Sequence, residues 1–149
     1  KILSHPAFYL SEYLEANREE YYQRLLAVSR DRDWTGWVAF FLKAIAIQAR
    51  ENTRKARTIL QLYEQRKRWI AEQTHSQHAV TTLDFMFRQP IFSGADFTKI
   101  PGVPRPTARR ILSEIRSELL REVRPSAGRR PAIYAYSELL NAAEGREVF

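Results

Sequence analysis

Residues 93–136 read SGADFTKIPGVPRPTARRILSEIRSELLREVRPSAGRRPAIYAY. Ser93, with Asp96 three residues on, is a partial capping box for a short helix. Ile100-Pro101-Gly102-Val103 is a tight turn. Gly102 is its informative residue, because the turn between the two helices of a helix-turn-helix needs a left-handed backbone, which glycine adopts without steric cost. Ala108, Ile111, Leu112, Ile115 and Leu119 recur at helical spacing and predict a third helix from about Arg105 to Leu120. Two strand-like runs follow, Leu120–Arg124 and Ala132–Tyr136, joined by a basic turn from Pro125 to Pro131. Upstream, a short helix over Ala79–Arg88 must end before Pro90. Downstream, Ser137 is expected to cap a last helix over Glu138–Ala143. Three helices, a glycine turn before the third and then a hairpin give a winged helix-turn-helix over residues 79–149.

Charge concentrates on the same stretch. The whole chain of 149 residues carries a net charge of +7, and residues 99–130 alone hold nine basic against three acidic side chains. Arg105, Arg109, Arg110 and Arg116 avoid the apolar stripe and should point outward. Arg129 and Arg130 belong to the wing tip. A third helix of this kind meets the major groove and a wing meets the flanking backbone. Arg105, Arg109, Arg110, Arg129 and Arg130 are therefore the candidate nucleic-acid contacts, with Arg105 and Arg110 best placed to reach base edges or phosphates. The competing reading, given equal weight, has these arginines solubilising the helix and pairing with Glu114 and Glu118. Winged helices also serve as protein docking modules.

Working back from this domain, Thr74-His75-Ser76-Gln77-His78 is polar and reads as a linker, so residues 1–73 form a separate helical subdomain. Pro6 keeps Lys1–Ala7 extended or at most turn-like. Ser11 is a candidate N-cap, with Glu12 and Glu15 suited to a first turn. A second helix over Asn17–Ser29 places Tyr22, Leu25, Leu26 and Ser29 on one face. Arg30-Asp31-Arg32-Asp33 then breaks the pattern, and Asp33 is a good cap for a helix starting at Trp34. Over Trp34–Ala49 nearly every residue is apolar. Trp34, Trp37, Val38, Phe41, Leu42 and Ile45 make one stripe; Phe40, Ala44 and Ile47 make another. A helix apolar all round is a buried helix, and at about 16 residues with Lys43 inside it is too short to cross a bilayer. Its neighbours are expected to cover part of it and a further N-terminal domain the rest. From Glu51 to about Glu72 the pattern turns amphipathic, with Ala56, Ile59, Leu60, Tyr63 and Ile70 as its stripe, and one continuous helix from Trp34 to about Gln73 is allowed.

Composition excludes several classes of function. There are no cysteines, hence no disulfide scaffold, Cys-based zinc site or thiol nucleophile. None of the five glycines forms a phosphate-cradling pattern. His75-x-x-His78 lacks an evident third ligand and reads as linker. His5 reads as a loop histidine, and Asp31 with Asp33 as a helix-start signal. The aromatic cluster from Tyr9 to Phe41 has the helical spacing of a core rather than of a base-stacking platform. The only methionine is Met86, so the chain is expected to be a piece of something longer.

Several runs together resemble a known family. Pro6-Ala7-Phe8-Tyr9-Leu10-Ser11-Glu12-Tyr13, then Asn17-Arg18-Glu19-Glu20-Tyr21-Tyr22, then Asp33-Trp34-x-x-Trp37-x-x-Phe40-Phe41-Leu42 are similar to the stretch that Fic/Doc-family proteins carry just after their catalytic loop. Gly102-Val103-x-Arg105-x-Thr107-Ala108 and Arg129-Arg130-x-x-Ile133-Tyr134-x-Tyr136 resemble the winged-helix domain that often ends them. The resemblance implies a mainly α fold, the helical tail of a Fic fold followed by a winged helix. It implies an intact parent that transfers AMP from ATP to a Ser, Thr or Tyr hydroxyl of a target protein. The family's loop reads His-Pro-Phe, two further residues, then Gly-Asn-Gly-Arg. Residues 5–10, HPAFYL, do not match it, so no catalytic, cofactor or metal residue carries over and this chain is expected to be inactive. ATP would be the parent's cofactor, and the loop would lie upstream of Lys1. The chain departs from the family at Pro104 and Pro106, where a serine usually precedes the recognition helix; the side-chain cap is lost there. The implied partner is the missing N-terminal Fic core. DNA and a second copy of the chain are the alternative partners, no membrane is implied, and a cytoplasmic location is expected.

Overall fold

A computed structural model of the chain describes residues 10–128 and 130–149. The fold is mainly α, with seven helices and one small antiparallel sheet among the described residues. Two compact units, Lys1–Arg54 and Lys55–Phe149, divide inside the longest helix.

The first unit contains α1 (Leu10–Ala16), α2 (Arg18–Asp31) and the N-terminal half of α3 (Trp34–Thr74). Ser11, expected as a cap, lies inside α1; Leu10, Tyr13 and Leu14 keep the helical spacing running through it. Asn17 separates α1 from α2, and its side-chain amide donates to the Tyr13 carbonyl at 2.9 Å. α2 runs two residues past Ser29 and ends on Arg32, left-handed at φ 59°, whose amide donates to the Val28 carbonyl at 3.1 Å. Asp33 then caps α3 as expected: its Oδ1 accepts the Gly36 amide at 2.8 Å. α3 continues for 41 residues without a break. One of its two apolar stripes is covered. Phe40 and Ala44 are buried, and the rings of Tyr13, Tyr21, Trp37, Phe40 and Phe41 pack with centroids 5.2–6.5 Å apart. Of the other stripe, Trp37 and Phe41 join that packing, whereas Trp34, Val38, Leu42 and Ile45 are exposed, Trp34 and Leu42 at 61% each. Among the described residues its neighbours thus cover part of this helix, as expected. α1 and α2 cover one face, and the second stripe lies about 100° away round the helix. The α2 face of Tyr22, Leu25 and Leu26 is exposed as well.

The second unit starts with the rest of α3. Leu62 and Ile70 are buried, with Ile59 and Tyr63 packed against the same core. Leu60, expected in that stripe, is 65% exposed, because one residue beyond Ile59 is a rotation of about 100°. Residues 74–78 are a turn within this unit. Thr74 is buried and its hydroxyl donates to the Ile70 carbonyl at 2.7 Å, and His75 takes a left-handed φ of 44°. There follow α4 (Ala79–Arg88), β1 (Ile91–Ser93), α5 (Gly94–Phe97), α6 (Arg105–Leu119), β2 (Arg121–Arg124), β3 (Ile133–Ala135) and α7 (Ser137–Glu144). This is the element order of a winged helix-turn-helix.

The capping box is complete. The Asp96 amide donates to Ser93 Oγ at 3.2 Å and the Ser93 amide to Asp96 Oδ2 at 3.1 Å. The Ser93 hydroxyl and amide hold the Asp96 carboxyl below the usual carboxylate range. Gly102 sits at φ 78°. Ala108, Ile111, Ile115 and Leu119 of α6 are buried against Leu83, Met86, Phe92 and Phe97.

β1 is absent from the sequence reading, which expected only a hairpin. Three residues after Pro90 pair with β3, so the strand order is β1-β3-β2 with Phe92 opposite Tyr134 and Arg121 opposite Ala135. The Tyr136 amide donates to the Pro90 carbonyl at 2.7 Å. That pairing moves the start of α7 one place: Ser137 is its first residue, and Tyr136 holds the cap position without a side-chain bond. No helix among the described residues is long and apolar enough to cross a membrane.

Candidate functional site

α6 is amphipathic in charge as well as in hydropathy. Its buried edge is set by Ala108, Ile111, Ile115 and Leu119. At 3.6 residues per turn, Arg105, Arg109 and Arg116 fall within about 40° of one another on one flank of that edge. Arg110, Glu114 and Glu118 fall on the other. Arg105, Arg109 and Arg116 are exposed and make no ion pair among the described residues.

Arg110 behaves differently. Its guanidinium donates to Glu114 Oε1 at 2.7 Å and to the Thr74 carbonyl at 3.1 Å. Thr74 is the last residue of α3, so Arg110 satisfies a carbonyl at the negative end of that helix while neutralising its own neighbour. The pairing with Glu114 left open by the sequence is realised here, and this side chain is spent on structure.

The wing adds further cations. Every residue of β2 is exposed, including Arg121 and Arg124, and Arg130 is exposed beyond it. Arg129 lies outside the described residues. Gly128 at φ 56° makes the turn of the wing, closed by the Ala127 amide to the Arg130 carbonyl at 3.1 Å.

Of the five residues expected at a nucleic-acid contact, Arg105 and Arg109 share the α6 flank, Arg130 is on the wing and Arg110 faces the end of α3. The sequence reading passed over Arg116 as a contact. Its i,i+7 spacing from Arg109 was the available signal, since residues seven apart return to the same face. Pro104 holds the N-cap position of α6, with Pro106 in the first turn and no side-chain cap, as the departure from the family pattern implied. Prolines fit there because the first amides of a helix have no intrahelical acceptor.

A cleft of about 370 Å³ opens beside this flank, between α5, α6 and β3. Arg109 and Arg116 line it, and no acidic side chain does. No cluster of three or more His, Cys, Asp or Glu side chains able to hold a metal ion occurs among the described residues. His78 faces Gln77 rather than a second imidazole, with nitrogens 3.4 Å apart.

Elsewhere in this unit the polar contacts join elements. Arg66 donates twice to Glu138 Oε2, at 2.9 and 2.6 Å, tying α3 to α7. The Tyr63 hydroxyl donates to Asp84 Oδ1 at 2.7 Å, and that carboxylate pushes the Tyr63 phenol up to about 12. The Tyr136 hydroxyl is buried without a hydrogen-bond partner among the described residues, and burial raises its pKa. No protein-family model matches the chain.

Proposed function

We propose that this chain is the non-catalytic C-terminal portion of a cytoplasmic Fic-type protein AMP-transferase, supporting or regulating an adenylyltransferase core carried elsewhere in the polypeptide. The observation that supports it most is the open stripe of Trp34, Val38, Leu42 and Ile45. Trp34 and Leu42 of this stripe belong to the run that carries the family resemblance. Four large apolar side chains on one helix face form a continuous surface of the kind that marks an interface. The covered stripe of the same helix holds the unit together, so the open one is free to receive another body. The parent would use ATP; this chain holds none of the residues that would grip it. Incubated with ATP and candidate targets, the chain should transfer no AMP, whereas the longer gene product should. Robust transfer by this chain overturns the reading.

A second reading is favoured by the segregated charge of α6: a nucleic-acid binding module using Arg105, Arg109, Arg116 and Arg130. Lys and Arg contacts to phosphate release counterions, which makes affinity fall with salt. Duplex DNA titrated at several salt concentrations tests it, and no detectable affinity at low salt rejects it. Self-association through the open stripe is separated from both by sedimentation at several concentrations.

A further inference from the structure

We propose that the cleft between α5, α6 and β3 is a binding site for a nucleoside monophosphate. The inference goes beyond both readings of function and rests on neither. Two arginines at i and i+7 of one helix, Arg109 and Arg116, reach the same cleft. Neither has a counter-ion among the described residues, whereas Arg110 on the opposite flank is paired. Guanidinium groups are planar forks matched to phosphate oxygens. Two uncompensated cations at a concave surface raise the local concentration of anions. Ser113, between them in sequence, lines the same space.

The remaining walls are not charged. Leu112 and the Tyr134 ring form an apolar face, suited to a base or sugar edge. The volume of about 370 Å³ is at the lower end of small-molecule sites, about 300–1,000 Å³, and an inorganic phosphate would leave most of it empty. Gly94 keeps the floor open. A β-carbon there would lie 3.6 Å from Tyr134 Cε2 and 3.8 Å from Leu112 Cδ2, in ordinary contact, so any longer side chain enters the cleft. The site thus combines an anion clamp, a hydroxyl-bearing side chain and an apolar wall, the combination a ligand with a phosphate at one end and a flat ring at the other requires.

Uridine 5′-monophosphate titrated into the full chain, read by calorimetry and by the amide shifts of Ala95, Thr98 and Ser113, tests this directly. One saturable site is expected, with Kd at or below about 1 mM. Arg109→Ala and Arg116→Ala should each weaken it about tenfold or more, the loss typical of a charge-assisted hydrogen bond. Arg146→Ala, which removes an exposed charge away from the cleft, should leave Kd within about twofold. Gly94→Val should abolish binding; the arginine variants, changed only at exposed positions, decide the matter should that variant fold poorly. Uridine without phosphate should not saturate. The proposal is overturned if none of the four nucleoside monophosphates saturates, or if the Arg109→Ala/Arg116→Ala double variant binds as the parent does. It is equally overturned if inorganic phosphate binds as tightly as the nucleotide. Binding to duplex DNA with none to any monophosphate also overturns it and gives these arginines to a strand surface.

Discussion

Arg110 and Arg109 are neighbours in sequence and differ in everything that matters to function. Arg110 is held by Glu114 and by the Thr74 carbonyl, so Arg110→Ala should lower stability by about 1 kcal/mol, from an exposed i,i+4 pair plus a bond to a helix end. It should leave polyanion binding nearly unchanged. Arg109→Ala should leave the melting temperature alone and weaken any duplex binding, reducing the salt slope by about one. Thermal melts paired with salt titrations of both variants check this. At Tyr136 the buried hydroxyl makes no hydrogen bond of good geometry, though the Arg66 guanidinium is near enough to act on it, so Tyr136→Phe should change stability by less than about 1 kcal/mol in urea titrations. Tyr63 has a folded pKa raised to about 12 by its bond to Asp84, above an unfolded value near 10. The native state therefore holds the proton more tightly, and this contribution is complete below about pH 10. It is lost as pH rises from there toward 12, and Tyr63→Phe should flatten that part of the stability profile.

Among the elements, the turn before α6 is the most legible in sequence and the most exposed to test. Gly102 has a φ of 78°, and an added β-carbon meets nothing within 4 Å. The cost of Gly102→Ala is therefore conformational, about 1–2 kcal/mol, and Gly102→Asn should recover part of it; chemical denaturation of the two variants separates strain from clash. The helices of the winged domain could be read because each rests on a local signal: the Ser93–Asp96 box, Pro90 and the α6 stripe. β1 could not, because a three-residue strand carries no periodicity and exists only by pairing with β3, more than forty residues later. Leu60 and Leu62 were exchanged for a related reason. In an amphipathic run the stripe's centre is set by what packs on it, and that lies in α4 and beyond. The pairing of Arg110 was half visible as an i,i+4 match with Glu114, but its bond to the end of α3 depends on tertiary placement.

At the scale of the molecule, two units differ in how completely they cover their own apolar surface. The second closes a core around Phe92, Phe97, Ile111 and Tyr136. The first leaves Trp34, Val38, Leu42 and Ile45 open, on a helix whose sequence is apolar nearly all round. That difference is the physical content of the claim that this unit is made to be covered. Leu42→Lys should leave the melting temperature of the chain within about 2 °C, because a surface substitution away from packed features costs little. The most direct measurement uses the absence of cysteine. Leu42→Cys places a single thiol on the open stripe, and its labelling rate is measured in this chain and in the longer parent that the proposed function requires. Fast labelling in the chain, slowed about tenfold or more in the longer protein, is the predicted result. Equal rates in the two would contradict the account, because the stripe would then be uncovered in the intact protein as well.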